Sequence, residues 1–209
     1  MSLPLTVTMA RRGMSDMSPH RKAWIAAGIM ALFTLVILFA MDRPPICECG
    51  TVELWHGSIN SAGNSQHISD WYTPSHIIHG MLFFGLAWLL FVRGGMGGKG
   101  AARWSYPLAV LLEASWEVIE NTPYVIDRYR SVTVNFGYSG DSILNSMADL
   151  GWMSLGFYMA WKLPVRVTVA LAVAAELVTG WVVHDNLTLN VLMLLYPLDA
   201  VRDWQGMVG

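Results

Sequence analysis

Long apolar segments of this chain carry acidic side chains, and this combination restricts the fold more than any other feature. Of the 209 residues, 54% are hydrophobic and 13% are charged, and the mean hydropathy is +0.42. The apolar residues are gathered into long runs, which is typical of an integral membrane protein. An ionisable group inside a bilayer costs about 2.5 to 3.5 kcal/mol on insertion scales. A chain that keeps several such groups must use them or pair them.

The run lengths predict an all-α polytopic transmembrane bundle of five or six spans. A spanning helix needs about 20 mostly apolar residues. The predicted spans are 23–41, 74–92, 104–120, 142–161 and 164–183. Residues 187–201 form a possible sixth span, although this run is short and contains Pro197. We expect a disordered cytoplasmic tail over residues 1–20, which are polar and without clear periodicity, and a single transmembrane domain over 21–209.

Lysines and arginines are distributed unevenly between the predicted loops. With the N-terminus in the cytoplasm, ten of the 13 basic residues lie inside and three, Arg43, Arg128 and Arg130, lie outside. This asymmetry obeys the positive-inside rule and predicts a multi-pass cell-membrane protein with a cytoplasmic N-terminus. A net charge of -2 without any basic stripe argues against a nucleic-acid partner.

Two predicted external loops connect the spans, over residues 42–71 and 121–140. Cys47 and Cys49 lie in the first of them. A pair two residues apart would close a strained disulfide, so a redox or metal role is disfavoured and we expect two incidental cysteines.

Polar side chains recur at helical spacing near one end of several spans. His76 and His79 are three residues apart at the start of the second span, so both imidazoles project from one helix face. The same spacing relates Glu113, Glu117 and Glu120 in the third span, Ser142, Asn145 and Asp149 after Asp141 in the fourth, and Glu176, Gly180 and His184 in the fifth. Because consecutive spans alternate in direction, all four stripes face the external half of the bundle. The pattern predicts a polar pocket that is open outward and closed inward.

The predicted pocket contains carboxylates that repel one another unless they bind a cation, keep a proton or pair with histidine. We expect a divalent metal, zinc, manganese or magnesium, held by His76, His79, Glu113, Glu117 and Asp149. Such an ion polarises a phosphoryl or acyl oxygen and activates water. The predicted catalytic residues are Glu117, Asp141 and Asp149. The predicted substrate-binding residues are Glu120, Asn121, Arg128, Arg130 and Asn145.

Plainer interpretations of some of these residues stay open. Asp141 follows Ser139 and Gly140 and could cap the fourth span. His76 and His79 could satisfy loop carbonyls at the start of a helix.

Three stretches of the sequence resemble a family of bacterial inner-membrane proteins of unknown function. They run from Asp70 to His79, from Glu113 to Asn121 and from Gly140 to Asp149. This resemblance implies a polytopic inner-membrane protein and supplies no activity. The order of a His-bearing helix, a Glu-bearing helix and a helix with Asp and Asn is also remotely similar to the VanZ-like membrane proteins. The extra His76, Glu117 and Glu120 depart from that pattern.

Together these features lead to a hypothesis about function. We expect a metal-dependent hydrolase or transferase that acts at the periplasmic face on a lipid headgroup or a lipid-linked envelope precursor, with membrane lipids as its partners. One alternative is a proton- or cation-coupled carrier, which would need access from both faces although the inner halves of the helices are apolar. The others are an intramembrane aspartyl protease, which would need two carboxylates in contact and no metal, and a non-catalytic assembly factor.

Overall fold

A computed structural model describes residues 19–58, 61–133 and 137–207, and every regular element in these ranges is helical. The α-helices are α1 (Pro19–Ala40), α2 (Thr73–Ala87), α3 (Ser105–Glu120), α4 (Pro123–Val132), α5 (Ile143–Lys162), α6 (Val165–Val183), α7 (Leu187–Leu195) and α8 (Asp199–Gln205). A π-helix, Trp88–Arg93, extends α2, and a short 3-10 helix, Ala101–Trp104, precedes α3. The all-α prediction is confirmed. Residues 1–18 of the predicted tail lie outside the described residues. Pro19 and His20, the last two residues of that predicted tail, belong to α1.

Among the described helices, three are long and apolar enough to cross a membrane. They are His20–Ala40, Thr73–Arg93 and Val165–Val183. The first and third also present large apolar side chains on their outer surfaces, where Phe33 is 65% exposed and Trp181 is 80% exposed. Extended apolar surface of this kind is unfavourable in water and favourable in lipid. These helices are typical of a membrane protein.

The centre of the fold is a close contact between α2 and α5. A Cβ atom at Gly80 would overlap the backbone of Met153, and one at Gly156 would overlap the backbone carbonyl of Ile77. Small residues allow helix backbones to approach this closely in membranes. Helix α3 packs against both helices. Their shared apolar core fixes the relative positions of the three helices that carry most of the polar stripes.

Residues 187–201 do not form a single sixth spanning helix. The chain breaks into α7 and α8 around Pro197, because proline has no backbone N–H and cannot continue a helix. Helix α7 has nine residues and is therefore about 14 Å long, roughly half the thickness of a bilayer core. The run is therefore divided into two short helices, and whether it crosses the membrane stays a prediction.

The segment over 121–140, expected to be a loop, contains helix α4. Thr122 caps this helix through its Oγ1, which accepts a hydrogen bond from the backbone N–H of Val125 at 3.4 Å. Pro123 at the first helical position fixes a helical φ. A cap followed by proline is a helix-start signal that the polar composition of this segment concealed.

The two cysteines of the first loop are joined rather than separate. Cys47 and Cys49 form a disulfide, and their Cα atoms lie 5.1 Å apart. This separation is within the usual range for a disulfide. The tight turn at 47–50 brings the two side chains together, and the expectation that the pair has no redox or metal role stays a prediction.

The loop before α2 is attached to the start of α5. Ser142 donates its backbone N–H to the carbonyl of Ser65 at 3.0 Å and its hydroxyl to the carbonyl of Gln66 at 2.9 Å. Asn145 donates its side-chain amide to the carbonyl of His67 at 2.8 Å. These bonds hold the loop across the end of the bundle at which the predicted polar stripes converge.

Candidate functional site

The amino ends of α2 and α5 meet the carboxyl end of α3 at one end of the bundle. There the structure brings together five of the predicted residues, which we call the acid–histidine cluster: His76, His79, Glu113, Glu117 and Asp149. Glu113 and Glu117 have no exposed surface, and Asp149 is 3% exposed. The stripes that were predicted from helical spacing therefore do face one another in these three helices.

Glu113 positions both imidazoles of the cluster. Its Oε1 lies 2.6 Å from His76 Nδ1 and its Oε2 lies 3.0 Å from His79 Nδ1. An ionised carboxylate only accepts hydrogen bonds, so each Nδ1 carries the hydrogen, and in a neutral imidazole each Nε2 keeps a free lone pair. Histidines that bind metals are commonly oriented in this way, by a carboxylate on the ring nitrogen that does not bind the ion.

Glu117 is the member of the cluster without hydrogen bonds. Both of its carboxylate oxygens are buried, and neither has a hydrogen-bond partner among the described residues. The nearest described ion-pair partner is His76, whose Nδ1 lies 3.6 Å from Glu117 Oε1 and already donates to Glu113. Burying a carboxylate without a partner costs several kcal/mol. This position therefore requires a proton or a cation.

Ligand atoms for a cation lie within reach of Glu117. His76, Glu117 and Asp149 each offer one atom, and these three atoms lie within 4.8 Å of one another. Asp149 Oδ2 is 3.6 Å from His76 Nε2, the ring nitrogen that Glu113 leaves free. Mixed histidine and carboxylate ligands are suited to zinc or manganese.

Glu117 also belongs to a second buried group of potential metal ligands. Glu117, Glu120 and Asp141 also offer three oxygens within 4.8 Å of one another. Asp141 is held firmly, since Tyr138 donates its hydroxyl to Oδ1 at 3.0 Å and Asn121 donates its amide to Oδ2 at 2.9 Å.

Helix α5 is capped by a different residue from the one that the sequence suggested. The hydroxyl of Ser142 accepts from the backbone N–H of Asn145 at 3.1 Å. Asp141 lies one residue before this cap, and its carboxylate faces the polar cluster instead. The interpretation of Asp141 as a simple helix cap was therefore wrong.

A cavity of about 180 Å³ adjoins the cluster. One wall consists of predicted residues, namely His76, His79, Glu120, Asp141, Asn145 and Asp149. If one water occupies about 30 Å³, this space could hold a headgroup-sized fragment. Among the described residues that line it, none is Lys or Arg.

The cavity is also lined by residues that the sequence interpretation did not place in the site. They include Tyr72, Trp116, Tyr129 and Asp185. Burial raises the pKa of Asp185 to about 7, although hydrogen bonds from the backbone of Asn186 and other groups act in the opposite direction. An ionisable residue immediately after an apolar helix is a signal for such a site. Tyrosine and tryptophan near span ends are too common at membrane interfaces to indicate a functional site.

The predicted arginines lie apart from the cavity. Arg128 donates from Nε to the carbonyl of Leu194 at 3.1 Å, and Arg130 donates from Nε to the carbonyl of Tyr138 at 2.6 Å. Neither is among the residues that line the cavity. Both attach helix α4 to its surroundings, and their role in phosphate binding stays a prediction.

The predicted asparagines are engaged within the protein. Asn121 accepts from the backbone N–H of Asp141 at 2.7 Å and donates to its carboxylate, so it positions that residue. Asn145 lines the cavity while its amide holds the loop at His67. Their contact with a substrate stays a prediction.

The fifth predicted span does not contribute Glu176 or His184 to the cluster. The chain reverses at His184, and Glu176 accepts the backbone N–H groups of Leu187 and Thr188, each at 3.0 Å. Glu176 therefore caps the start of α7. His184 donates from Nδ1 to the carbonyl of Trp204 at 2.8 Å. The expectation that these two residues join the pocket was wrong, because the returning chain provides nearer partners for them.

Comparison with known proteins gives a consistent set of matches. The family described as "Protein of unknown function (DUF2585)" matches residues 38–207. A UPF0314 protein of Novosphingobium aromaticivorans is 53% identical over 198 residues, which cover 95% of this chain and 99% of that protein. UPF0314 protein Atu8092 of Agrobacterium fabrum is 51% identical over 200 residues, which cover 96% and 98%. No solved structure matches the chain.

Proposed function

Since the chain belongs to the DUF2585 family of bacterial proteins, whose description gives no activity, we propose from its site that it is a membrane-embedded, metal-dependent hydrolase or transferase. Its substrates are phosphate-bearing lipid headgroups or lipid-linked envelope precursors at the periplasmic face of the inner membrane. The observation that carries this proposal is the buried carboxylate of Glu117, which has no hydrogen-bond partner among the described residues and shares a group of potential ligands with His76 and Asp149. The remote VanZ-like resemblance stays a prediction.

The balance of charge supports a bound cation. Five carboxyl groups lie in the acid–histidine cluster and the adjoining group of Glu117, Glu120 and Asp141: Glu113, Glu117, Glu120, Asp141 and Asp149. Protonating both histidines would still leave three negative charges, five minus two, if all the acids were ionised. Arg43 is near, but it donates to the backbone carbonyl of Asp141 at 2.9 and 3.0 Å. Divalent cations would remove the repulsion between these acids in a buried environment.

The residues around the cavity have separable roles in this proposal. His76, Glu117 and Asp149 hold the metal, and Glu113 orients both imidazoles. When bound, the ion would polarise a phosphoryl oxygen and lower the pKa of a bound water. Asp149 also lines the cavity, so its carboxylate can take a proton from the attacking water or hydroxyl.

The composition of the cavity supports the choice of substrate. A phosphate that entered would meet no Lys or Arg among the described lining residues. Its negative charge would instead be balanced by metal. The aromatic wall, which includes Tyr72 and Trp116, suits the apolar or amphipathic part of a headgroup.

The distribution of basic residues supports the orientation. Arg93, Lys162 and Arg166 lie at the end of the bundle opposite the site, at the ends of the α2 extension and α5 and at the start of α6. By the positive-inside rule that end faces the cytoplasm and the site faces the periplasm. The disulfide between Cys47 and Cys49 lies in the loop at the site end and fits an oxidising compartment. We propose five crossings, by α1, α2, α3, α5 and α6, with α7 and α8 beside the cavity at the outer face.

The test is a turnover assay on the full chain in detergent. Phospholipids and polyprenyl diphosphates are supplied, and the released phosphate or headgroup is measured before and after chelation. We expect activity that chelation abolishes and that zinc or manganese restores. Asp149→Asn should reduce the rate by about 100-fold or more, whereas Glu176→Gln should preserve it below its unfolding temperature. Turnover that survives chelation, or no metal-dependent turnover of these substrates, would contradict the proposal.

A second candidate is an intramembrane aspartyl protease. It is favoured by the closeness of Glu120 and Asp141, two buried acids that offer oxygens within 4.8 Å of one another. Two carboxyl groups this close can share one proton, as in an aspartic-protease pair. This candidate requires a metal-free protein that cleaves peptides, so elemental analysis separates it from the proposed function.

A further inference from the structure

We infer that the site holds two metal ions bridged by the carboxylate of Glu117, and that its substrate is a phosphate ester whose oxygen contacts both ions. This inference rests on the proposed function and makes it more specific. It assigns Glu120 and Asp141, which the single-ion site does not use, as ligands of the second ion.

The two groups of potential ligands meet only at Glu117. His76 and Asp149 offer atoms in one group, and Glu120 and Asp141 offer atoms in the other. In each group the atoms lie within 4.8 Å of one another and of a Glu117 oxygen. Metal ions of two-metal phosphoryl-transfer sites lie about 3.5 to 4 Å apart, a spacing that one carboxylate can bridge.

Glu117 also has the bonding capacity that a bridge requires. Both of its oxygens are buried, and both lack a hydrogen-bond partner among the described residues. A single ion bound through both oxygens would neutralise Glu117 but would leave the other acids of the second group without a cation. Glu120 and Asp141 would then remain side by side, buried and without a cation. A second ion satisfies the other oxygen of Glu117 and removes this repulsion as well.

The carboxylate of Asp141 is fixed by hydrogen bonds, as carboxylates that bind metals commonly are. Tyr138 and Asn121 each donate one hydrogen bond to it, one on each oxygen. A carboxylate has about four lone-pair sites, so two remain for an ion. Hydrogen bonds that fix the carboxylate before the ion arrives are usual around metal sites.

The cavity places both proposed ions on the path of a substrate. Glu120 and Asp141 line it beside His76 and Asp149, whereas Glu117 is not among its lining residues. Glu117 therefore lies behind the two groups, and both ions would face the cavity. A phosphate oxygen that entered would meet both ions, which is how two-metal sites stabilise an in-line displacement at phosphorus.

The experiment is a manganese titration of the full chain in detergent after chelation. Bound metal is counted by mass spectrometry, and the electron paramagnetic resonance spectrum reports whether the ions interact. We expect two manganese ions per wild-type chain with an exchange-coupled spectrum. Glu120→Gln should bind one ion with the uncoupled six-line spectrum. Asp127→Asn, which removes a carboxylate with a side chain 77% exposed, is the control and should still bind two.

Each other result overturns a defined part of the account. One ion in both the wild type and Glu120→Gln refutes the second site and leaves the proposed function intact. Two coupled ions in Glu120→Gln refute the assignment of that residue. No ion in the wild type refutes both the inference and the proposed function. Size exclusion and thermal unfolding verify that each variant is folded, and Asp141→Asn replaces Glu120→Gln if the latter aggregates.

Discussion

Glu117 and Glu176 are both glutamates within apolar helices, and the structure gives them opposite surroundings. Glu117 in α3 is fully buried, and no hydrogen-bond donor among the described residues reaches its carboxylate. Glu176 in α6 is partly buried and accepts two backbone N–H groups from the start of α7. An acid in an apolar helix is therefore not by itself a functional residue. The donors that surround it decide whether it is a cap or a ligand.

The groups that surround Glu176 and Glu117 come from different parts of the chain. Leu187 and Thr188 follow Glu176 by 11 and 12 residues, so a single turn of the chain provides its partners. The cluster around Glu117 is assembled from three helices, and His76 lies 37 residues before Glu113. The cap therefore depends on a local reversal, whereas the cluster depends on helix packing. Substitutions that disturb helix packing should therefore affect the cluster, and substitutions at the reversal should affect only the cap.

The largest effect is expected from Gly156→Ala. A Cβ there would overlap the carbonyl of Ile77 and force α2 away from α5. We expect the free energy of unfolding to fall by about 3 kcal/mol and metal binding to be lost. Gly151→Ala in the same helix is the matched control, because no heavy atom lies within 4 Å of its new Cβ. Thermal unfolding in detergent measures both, and equal melting temperatures would refute the packing argument.

Glu113→Gln should weaken metal binding without removing a ligand. Its amide keeps one acceptor oxygen, so only one of His76 and His79 can still donate to it. We expect the dissociation constant for zinc to rise about 10- to 100-fold, as is usual when the group that orients a ligand is lost. Competition with a chelating dye measures this constant. An affinity that matches the wild type would show that Glu113 does not position the imidazoles.

Glu176→Gln and Glu117→Gln should change the stability of the metal-free protein differently. The first removes one of two acceptors for the start of α7 and should cost about 1 kcal/mol. The second removes a charge without a hydrogen-bond partner among the described residues and should not lower stability. Thermal unfolding after chelation compares the two. A larger loss in Glu117→Gln would mean that the cluster, too, is held together by this carboxylate in the absence of metal.

The smallest effect concerns pH and Asp185. Its pKa is raised from 3.8 to about 7 by burial, so the folded state binds more protons than the unfolded state between these values. Stability from this group is present at low pH and is lost as pH rises through 7. Between pH 6 and 8 the loss should be about 1 kcal/mol. Asp185→Asn should unfold with a flatter pH dependence, and an unchanged slope would contradict the assignment.

Sequence reasoning predicted the long helices and the convergence of three polar stripes. The predicted spans 104–120 and 142–161 agree with α3 and α5 to within one residue. Helical spacing also identified His76, Glu113 and Asp149, because a stripe of polar residues on an apolar helix must face other protein. The stripes of α2, α3 and α5 do meet, since glycines allow close packing at one crossing point.

The remaining features depend on how the chain turns, which spacing does not reveal. The role of Glu176 follows from the reversal at His184, where φ is 54°. The break of 187–201 at Pro197 and the disulfide at Cys47 likewise follow from local turns. Asp185 enters the cavity wall only because the same reversal carries it there.

Elemental analysis of three purified proteins tests the central claim most directly: the wild type, Glu117→Gln and Glu176→Gln. The account predicts a divalent metal in the wild type and in Glu176→Gln, and its loss from a folded Glu117→Gln. This result would establish that the unpartnered glutamate is a ligand and that the partnered one is a helix cap. Equal metal in all three proteins, or none in the wild type, would contradict the account.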